Sequence, residues 1–280
     1  MQNNYTIRDL LDAGLHLGHK IKKWNPKMEP FIYGSKNSIH IIDLRKTYDL
    51  LENALEFIKK VVSNDGKILF VGTKLQANNI VKKYALECNQ FYVNKRWLGG
   101  MLTNWSTISN SINHLNNLNE KLSKKDLGLK KKEILKMNRQ INKIENSLGG
   151  LKEMGNLPEA IFVVDVNKDS ISVSEANKLK IPVIAILDTN SSPDGVDYPI
   201  PGNDDSRKSI ELICSLISKQ VKKYFKTNNI KKKNEKDLIQ TKIPTKDIVK
   251  KEIDSKKNKK TLKKSTKIKK SKKTKKIDYS

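Results

Sequence analysis

Two short segments of the chain combine cations with a tryptophan, a pairing that suits contact with nucleic acid. In residues 94–107 (NKRWLGGMLTNWST), Lys95 and Arg96 lead directly into Trp97, and a Gly-Gly pair follows. Arginine offers a planar fork that matches phosphate oxygens, and tryptophan offers a flat face on which bases stack. Paired glycines also permit a sharp turn. The segment is therefore predicted to be either a binding surface or a hinge around a buried tryptophan.

The second segment lies near the N-terminus. A glycine loop at residues 16–20 (HLGHK) precedes residues 22–28 (KKWNPKM), so cations again surround a tryptophan, Trp24. Lone histidines in such a loop more often pack or form hydrogen bonds than bind metals. This segment is therefore a second candidate surface for a polyanion.

Carboxylates and one histidine suggest a different chemistry. Parallel sheets bind ligands beyond the carboxyl ends of their strands, and Thr73, Asp165, Asp188 and Asp204-Asp205 follow predicted strands. A divalent ion would suit the following donors if they converge: His19, Asp188, Asp204 and Asp205. The alternative, which we favour, is that Asp188 and Asp204 cap loops and helices through hydrogen bonds.

Motifs for catalysis are weak in this sequence. There is no GxGxxG, Gly72-Thr73-Lys74 lacks the upstream glycine of a P-loop, and no serine sits in a GxSxG elbow. Cys88 and Cys214 form no CxxC pair, which argues against a metal finger, a redox motif or a disulfide framework. Binding to a polyanion is therefore favoured over catalysis.

Charge supports this interpretation. The 280 residues carry a net charge of +26, which points to nucleic acid or an anionic membrane surface. Residues 227–280 hold 21 Lys against six acids, a net of +15, and leave +11 for residues 1–226. This segment has too few apolar residues to bury enough surface to offset the entropy lost on ordering. A disordered basic tail is therefore predicted there. The first residues lack a signal-peptide pattern and no apolar run is long enough to span a bilayer, so a cytoplasmic location is expected.

The elements that must position these residues alternate between strand and helix. Apolar runs at 67–72, 91–93, 160–166 and 182–187 predict strands, with a further short strand at 198–200. Helices are predicted from Asp43 to about Ser63 and over 76–88, 170–180 and 206–225, and short strands over 31–34 and 38–42. Because parallel strands need long connections, this alternation predicts one parallel α/β sheet flanked by helices.

Residues 103–149 interrupt the alternation. Apolar side chains recur every three or four residues from Ile108 to Leu122 and from Ile134 to Leu148, with a polar link between them. Two narrow apolar stripes predict an antiparallel coiled-coil hairpin. The chain is therefore expected to be one domain over 1–226, with the hairpin inserted at 103–149, and a tail over 227–280.

Several stretches together resemble the second protein of the small ribosomal subunit, of bacterial or organellar type. They occur in that family's order: 11–20 (LDAGLHLGHK), 22–34 (KKWNPKMEPFIYG), 67–77 (KILFVGTKLQA), 92–107 (YVNKRWLGGMLTNWST) and 181–190 (IPVIAILDTN). With further matches, the resemblance covers nearly all of residues 5–225. The hairpin and the tail match only in character, and the long lysine tail departs from the common family length.

The resemblance implies a flavodoxin-like domain in the small subunit, between head and body, in contact with small-subunit ribosomal RNA. It also implies neighbouring ribosomal proteins as partners, including the large mRNA-recruiting one, with no membrane and no homo-oligomer. Carried over by position, the RNA-facing residues are Lys20, Lys22, Lys23, Trp24, Asn25 and Lys27, and Asn94, Lys95, Arg96, Trp97, Thr103 and Asn104. A metal pocket of His19, Asp188 and Asp205, for zinc or magnesium, is the one cofactor implied. The alternatives are a non-ribosomal basic RNA-binding adaptor and a flavodoxin-like enzyme.

Overall fold

A computed structural model describes residues 5–123 and 131–240, with side chains up to Phe225. The helices are α1 (Ile7–Asp12), α2 (Leu44–Ser63), α3 (Asn78–Glu87), α4 (Trp105–Ser123), α5 (Lys131–Leu148), α6 (Ser170–Lys178) and α7 (Arg207–Gln240). The strands are β1 (Leu17–Lys20), β2 (Ile32–Lys36), β3 (Ile39–Ile42), β4 (Ile68–Val71), β5 (Phe91–Val93), β6 (Ala160–Val163), β7 (Val183–Leu187) and β8 (Tyr198–Pro201). The predicted strand–helix alternation is thus confirmed.

The main sheet is parallel and has five strands in the order β5-β4-β6-β7-β8. Numbered along the chain, this is the order 2-1-3-4-5, which is the flavodoxin-like arrangement. The predicted fold class is therefore confirmed. All carboxyl ends of these strands meet at one edge of the sheet, which brings together the loops that follow Val71, Val93, Val163, Leu187 and Pro201.

Strand residues of the sheet alternate between two apolar cores. In β6, Ala160 and Phe162 pack with α2, α3 and α7, whereas Ile161 and Val163 pack with α4 and α6. Because helices cover both faces, every residue of β4, β6 and β7 is buried. This explains why the sequence shows continuous apolar runs there instead of an alternating pattern.

A small antiparallel sheet, in the order β1-β3-β2, precedes the main one. Its β2–β3 hairpin turns through Asn37 and Ser38, both at positive φ, which matches the twist that two-residue hairpin loops require. The sequence prediction of a loop over 16–20 was incomplete, because Leu17–Lys20 pairs with β3 as a strand. Partners for this strand come from a distant part of the chain, so its local composition gives little signal.

The two inserted helices, α4 and α5, pack along their apolar stripes. Leu115 and Leu118 of α4 are buried with Ile141 of α5 in a cluster of their own. Nearer the sheet, Ile108 and Leu148 join the core. The helical pair therefore lies where the sequence placed it, while its coiled-coil geometry stays a prediction and its link at 124–130 lies outside the described residues.

The chain divides into two units, Met1–Asn228 and Asn229–Ser280. The first contains the α/β domain. The backbone of α7 runs to Gln240, beyond Phe225, where the apolar pattern predicted its end. Of the tail predicted over 227–280, residues 241–280 lie outside the described part of the chain.

Candidate nucleic-acid interface

The basic loop, residues 20–27, leaves β1 and is fixed to the carboxyl edge of the main sheet. The Asn25 amide donates to the Thr189 carbonyl at 2.8 Å, and the Asn25 side chain accepts from the Lys27 amide at 3.0 Å. Next to the loop, Met28 is fully buried in the same apolar cluster as Trp97. The loop backbone is therefore held in place while Lys20, Lys22 and Lys23 are exposed.

Trp24 and Lys27 differ from those three lysines. The Trp24 ring is half-buried and lies against His40, with ring centroids 5.3 Å apart and a tilt of 42°. The Lys27 ammonium is paired with Asp194. Trp24 thus keeps part of its ring surface free, whereas the charge of Lys27 is already compensated.

The junction, residues 94–107, connects β5 to the inserted helices. Lys95 and Arg96 are exposed, but Trp97 is only 6 % exposed. Its indole Nε1 donates to the Glu175 carboxylate at 3.1 Å. Trp97 is thus a packing residue in this structure, which matches the hinge interpretation.

Glu175, on α6, binds the turn that follows Trp97. Its carboxylate accepts from the backbone amides of Gly100 (2.7 Å), Leu102 (2.9 Å) and Thr103 (3.1 Å), and from the Thr103 hydroxyl (3.1 Å). Burial alone would raise the pKa of Glu175, but these hydrogen bonds favour the charged form and lower it below the ordinary glutamate value. Sequence reasoning missed this residue because its partners are more than seventy positions away.

Two further predicted residues of the junction, Asn94 and Asn104, form hydrogen bonds with neighbouring side chains. The Asn94 amide nitrogen donates to the Asn78 side-chain oxygen at 2.9 Å. Asn104 accepts from the Thr107 hydroxyl at 2.9 Å, at the start of α4. Among the six predicted RNA-facing residues here, Lys95 and Arg96 are therefore the two whose side chains make no such contact within the described chain.

Two glycine pairs, Gly99-Gly100 and Gly149-Gly150, flank the inserted helices, and one glycine of each pair is required by the backbone. Gly100 has φ of +85°, a conformation that side chains disfavour. Gly150 lies so close to Tyr92 of β5 that a Cβ would collide with the Tyr92 carbonyl oxygen and ring. Gly99 and Gly149 have more room. The two glycine pairs thus bracket the root of the inserted helices.

An acidic cluster occupies the same edge of the sheet near β7 and β8. His19 Nδ1 lies 3.0 Å from Asp188 Oδ1, and His19 Nε2 lies 3.3 Å from Asp205 Oδ2. The hydrogen bond to Asp188 raises the pKa of His19, although burial opposes it. The three residues predicted as a metal pocket are thus brought together.

Lys74 completes this cluster, and sequence reasoning did not assign it a role. Its Nζ lies 3.2 Å from Asp165, 2.7 Å from Asp204 and 2.6 Å from Asp205. Burial raises the pKa of Asp204 to about 7, and the neighbouring Asp165 adds to the shift while Lys74 opposes it. In residues 5–123 and 131–225, no group of three His, Cys, Asp or Glu side chains is arranged to hold a metal ion. The cluster is therefore a network of ion pairs in which His19 and Lys74 face the carboxylates.

The fold and the charges define a basic, flavodoxin-like α/β domain with an inserted pair of helices. Within the described ranges, no helix is long and apolar enough to cross a membrane.

Comparison with known proteins agrees with this description. The family model for Ribosomal protein S2 matches residues 10–224. The small ribosomal subunit protein uS2 of Parvibaculum lavamentivorans is 53 % identical over 218 residues, which cover 78 % of this chain and 86 % of the relative. The uS2 protein of Anaplasma marginale is 56 % identical over 219 residues, covering 78 % and 67 %. That of Rickettsia bellii is 54 % identical over 214 residues, covering 76 % and 74 %.

The chain therefore belongs to the ribosomal protein S2 family. It is a structural constituent of the small ribosomal subunit that supports translation, and it is not an enzyme. Its partners are ribosomal RNA and other ribosomal proteins.

Proposed function

We propose that the chain binds small-subunit ribosomal RNA through the basic loop and the junction. The observation that carries this proposal is that five cations in these segments, listed next, have no side-chain partner among the residues described. They are Lys20, Lys22, Lys23, Lys95 and Arg96. By contrast, Lys27 in the same loop and Lys74 and Lys152 elsewhere are paired with carboxylates. Exposed lysines such as Lys36, Lys82 and Lys180 also have no described partner, so the fixed backbone is what distinguishes these two segments. Unpaired cations on a fixed backbone are suited to phosphates.

The binding would combine charge with shape. Each lysine that meets a phosphate displaces condensed counterions, which gives affinity without sequence selectivity. Arg96 adds a bidentate contact of fixed direction. The free part of the Trp24 ring would stack on an exposed base, since folded RNA is recognised mainly through its shape and its unpaired bases. Lys27, Asn25, Asn94, Thr103 and Asn104 would shape the surface, and Trp97 would pack behind it.

Substitution of Arg96 tests the proposal. We expect Arg96→Ala to reduce incorporation into small subunits in a reconstitution assay more than removal of a few tail lysines does, because a rigid bidentate contact should outweigh mobile charges. Arg45→Ala is the matched control, since Arg45 is exposed but its guanidinium forms two 3.0 Å contacts with Asp43. Equal incorporation of the Arg96 variant and the unchanged chain would contradict the proposal.

The finer placement rests on the family resemblance. We infer that the chain lies between head and body, is added late in assembly and helps dock the mRNA-recruiting protein. Crosslinking of reconstituted subunits tests this, with contacts to that protein as the expected result. Recovery of the chain only at the top of a sucrose gradient would instead favour a non-ribosomal adaptor.

A divalent ion at His19, Asp188 and Asp205 is a separate proposal. It rests on the family resemblance and on donor type, since imidazole and carboxylate are suitable donors for zinc. The three side chains are neighbours, with Asp188 and Asp205 on different nitrogens of His19. Each imidazole nitrogen faces a carboxylate, so an ion would replace one of these contacts. Calorimetric titration of the full chain with Zn²⁺ and Mg²⁺ tests it, and binding that survives His19→Ala would contradict the assignment.

A further inference from the structure

Glu175 is a buried acid that accepts five hydrogen bonds from the junction. It is 5 % exposed, lies on α6 and faces no cation in the described ion pairs. Its charge is instead satisfied by donors from a single turn of the junction. A buried carboxylate is costly unless it is hydrogen-bonded, so the turn and the carboxylate stabilise each other.

That turn lies between the two proposed RNA contacts and the helical pair. Arg96 directly precedes Trp97, which donates to one oxygen of Glu175, and Thr103 donates to the other oxygen twice. The helix α4 begins at Trp105, two residues after Thr103. The carboxylate therefore holds the chain on both sides of the Gly99-Gly100 break.

The rest of the root is held independently. Trp105 Nε1 donates to the Gly155 carbonyl at 3.1 Å, and Gly150 packs directly on Tyr92. The Gly150 contact fixes the exit of the helical pair onto β5, and the Trp105 contact ties the start of α4 to the segment that follows α5. In the turn that leads into α4, Met101 and Leu102 are buried, and Glu175 supplies the acceptor for the amides of Gly100, Leu102 and Thr103. Without that acceptor, Gly99 and Gly100 would give this turn more conformational freedom.

We propose that Glu175 is the positioning residue that sets the direction of the inserted helices and presents Lys95 and Arg96 to RNA. The presentation of Lys95 and Arg96 rests on the proposed function, whereas the direction of the helices does not. The inference assigns Glu175 no direct contact with RNA.

The first test needs no RNA. Spin labels on Asn116→Cys in α4 and Lys219→Cys in α7 report the direction of the helical pair, because Cys88 and Cys214 are buried. We expect one narrow distance distribution in the full chain and a broadened or shifted one in Glu175→Gln, whose amide cannot accept all the donors. Glu153→Gln, an exposed acid shortly after the end of α5, is the control and should leave the distribution unchanged. An unchanged distribution in Glu175→Gln would overturn the inference.

The second test measures affinity for small-subunit ribosomal RNA. We expect Glu175→Gln to bind about tenfold more weakly, the effect of ordering one further residue on binding, and Glu153→Gln to bind normally. Altered distances with normal affinity would overturn the presentation of Lys95 and Arg96 to RNA. If Arg96→Ala also binds normally, the proposed RNA surface is wrong, while the distance measurement still decides the role of Glu175.

A milder substitution keeps the inference testable if Glu175→Gln fails to fold. Trp97→Phe keeps the ring in the core and removes one donor to Glu175. We expect a smaller broadening of the same distance distribution. Identical distributions for Trp97→Phe and the unchanged chain would count against the inference.

Discussion

Removal of the free charges of the basic loop should change the salt dependence of RNA binding by a calculable amount. The change is the triple substitution of Lys20, Lys22 and Lys23 by glutamine. All three side chains are exposed and have no partner among the described residues. If each meets one phosphate, each accounts for roughly 0.7 to 0.9 of the slope of log affinity against log salt. The triple variant should therefore have a slope shallower by about 2 to 3.

Filter binding or fluorescence anisotropy at several salt concentrations measures this slope for small-subunit ribosomal RNA. The control is substitution of paired lysines, Lys152→Gln and Lys222→Gln, whose ammonium groups lie 2.6 Å and 2.8 Å from Glu145 and Glu87. These replacements change the net charge but remove no free cation. A slope that stays the same in the triple variant, or that falls equally in the control, would refute the assignment of the loop as an RNA contact.

Four further predictions concern stability and the tail. Phe162→Ala should lower the free energy of unfolding by about 3–5 kcal/mol in chemical denaturation, because the ring is fully buried and packs edge-on against Phe70 at 5.6 Å. Gly150→Ala should destabilise by about 1–3 kcal/mol through its collision with Tyr92, whereas Gly149→Ala should cost less; equal costs would argue against a close approach at the root. Because the folded pKa of Glu175 is lowered, its contribution is present above pH 4.5, the ordinary value, and is lost as the pH falls through the folded pKa; acid titration of stability should show this component in the full chain and not in Glu175→Gln. Truncation at Thr227 should leave circular dichroism of the remaining domain folded and reduce the salt slope of RNA binding, and an unfolded product would contradict it.

Much of the fold could be predicted because its elements carry local signals. The runs around Phe70 and Phe162 are apolar throughout, since helices cover both faces of their strands. Asp43 caps α2 through the Arg45 amide at 3.0 Å, and Thr6 forms a capping box with Asp9. Such patterns can be recognised in a single sequence because the interacting residues are neighbours.

The site could be predicted only in part. Residue type identified the cations, but pairing separates Lys22 from Lys27, which are both exposed, and pairing depends on Asp194, far along the chain. Lys74 and Glu175 were missed for the same reason, because each acquires its role from partners on other elements. Burial of Trp97 also depends on tertiary contacts. The sequence alone was therefore equally compatible with Trp97 stacking on a base and with Trp97 packing in the core.

The link between Glu175 and Arg96 has a thermodynamic consequence for binding. A cation on a mobile turn must be ordered when it meets RNA, and fixing the backbone of one residue costs about 1–2 kcal/mol. Here Trp97, the residue next to Arg96, is already fixed by burial and by its hydrogen bond to Glu175. Much of the ordering is therefore completed during folding, so the same contact gives more affinity. A buried acid can thus strengthen a basic surface without touching the RNA, because it acts on the conformation of the backbone and not on the charge of the ligand.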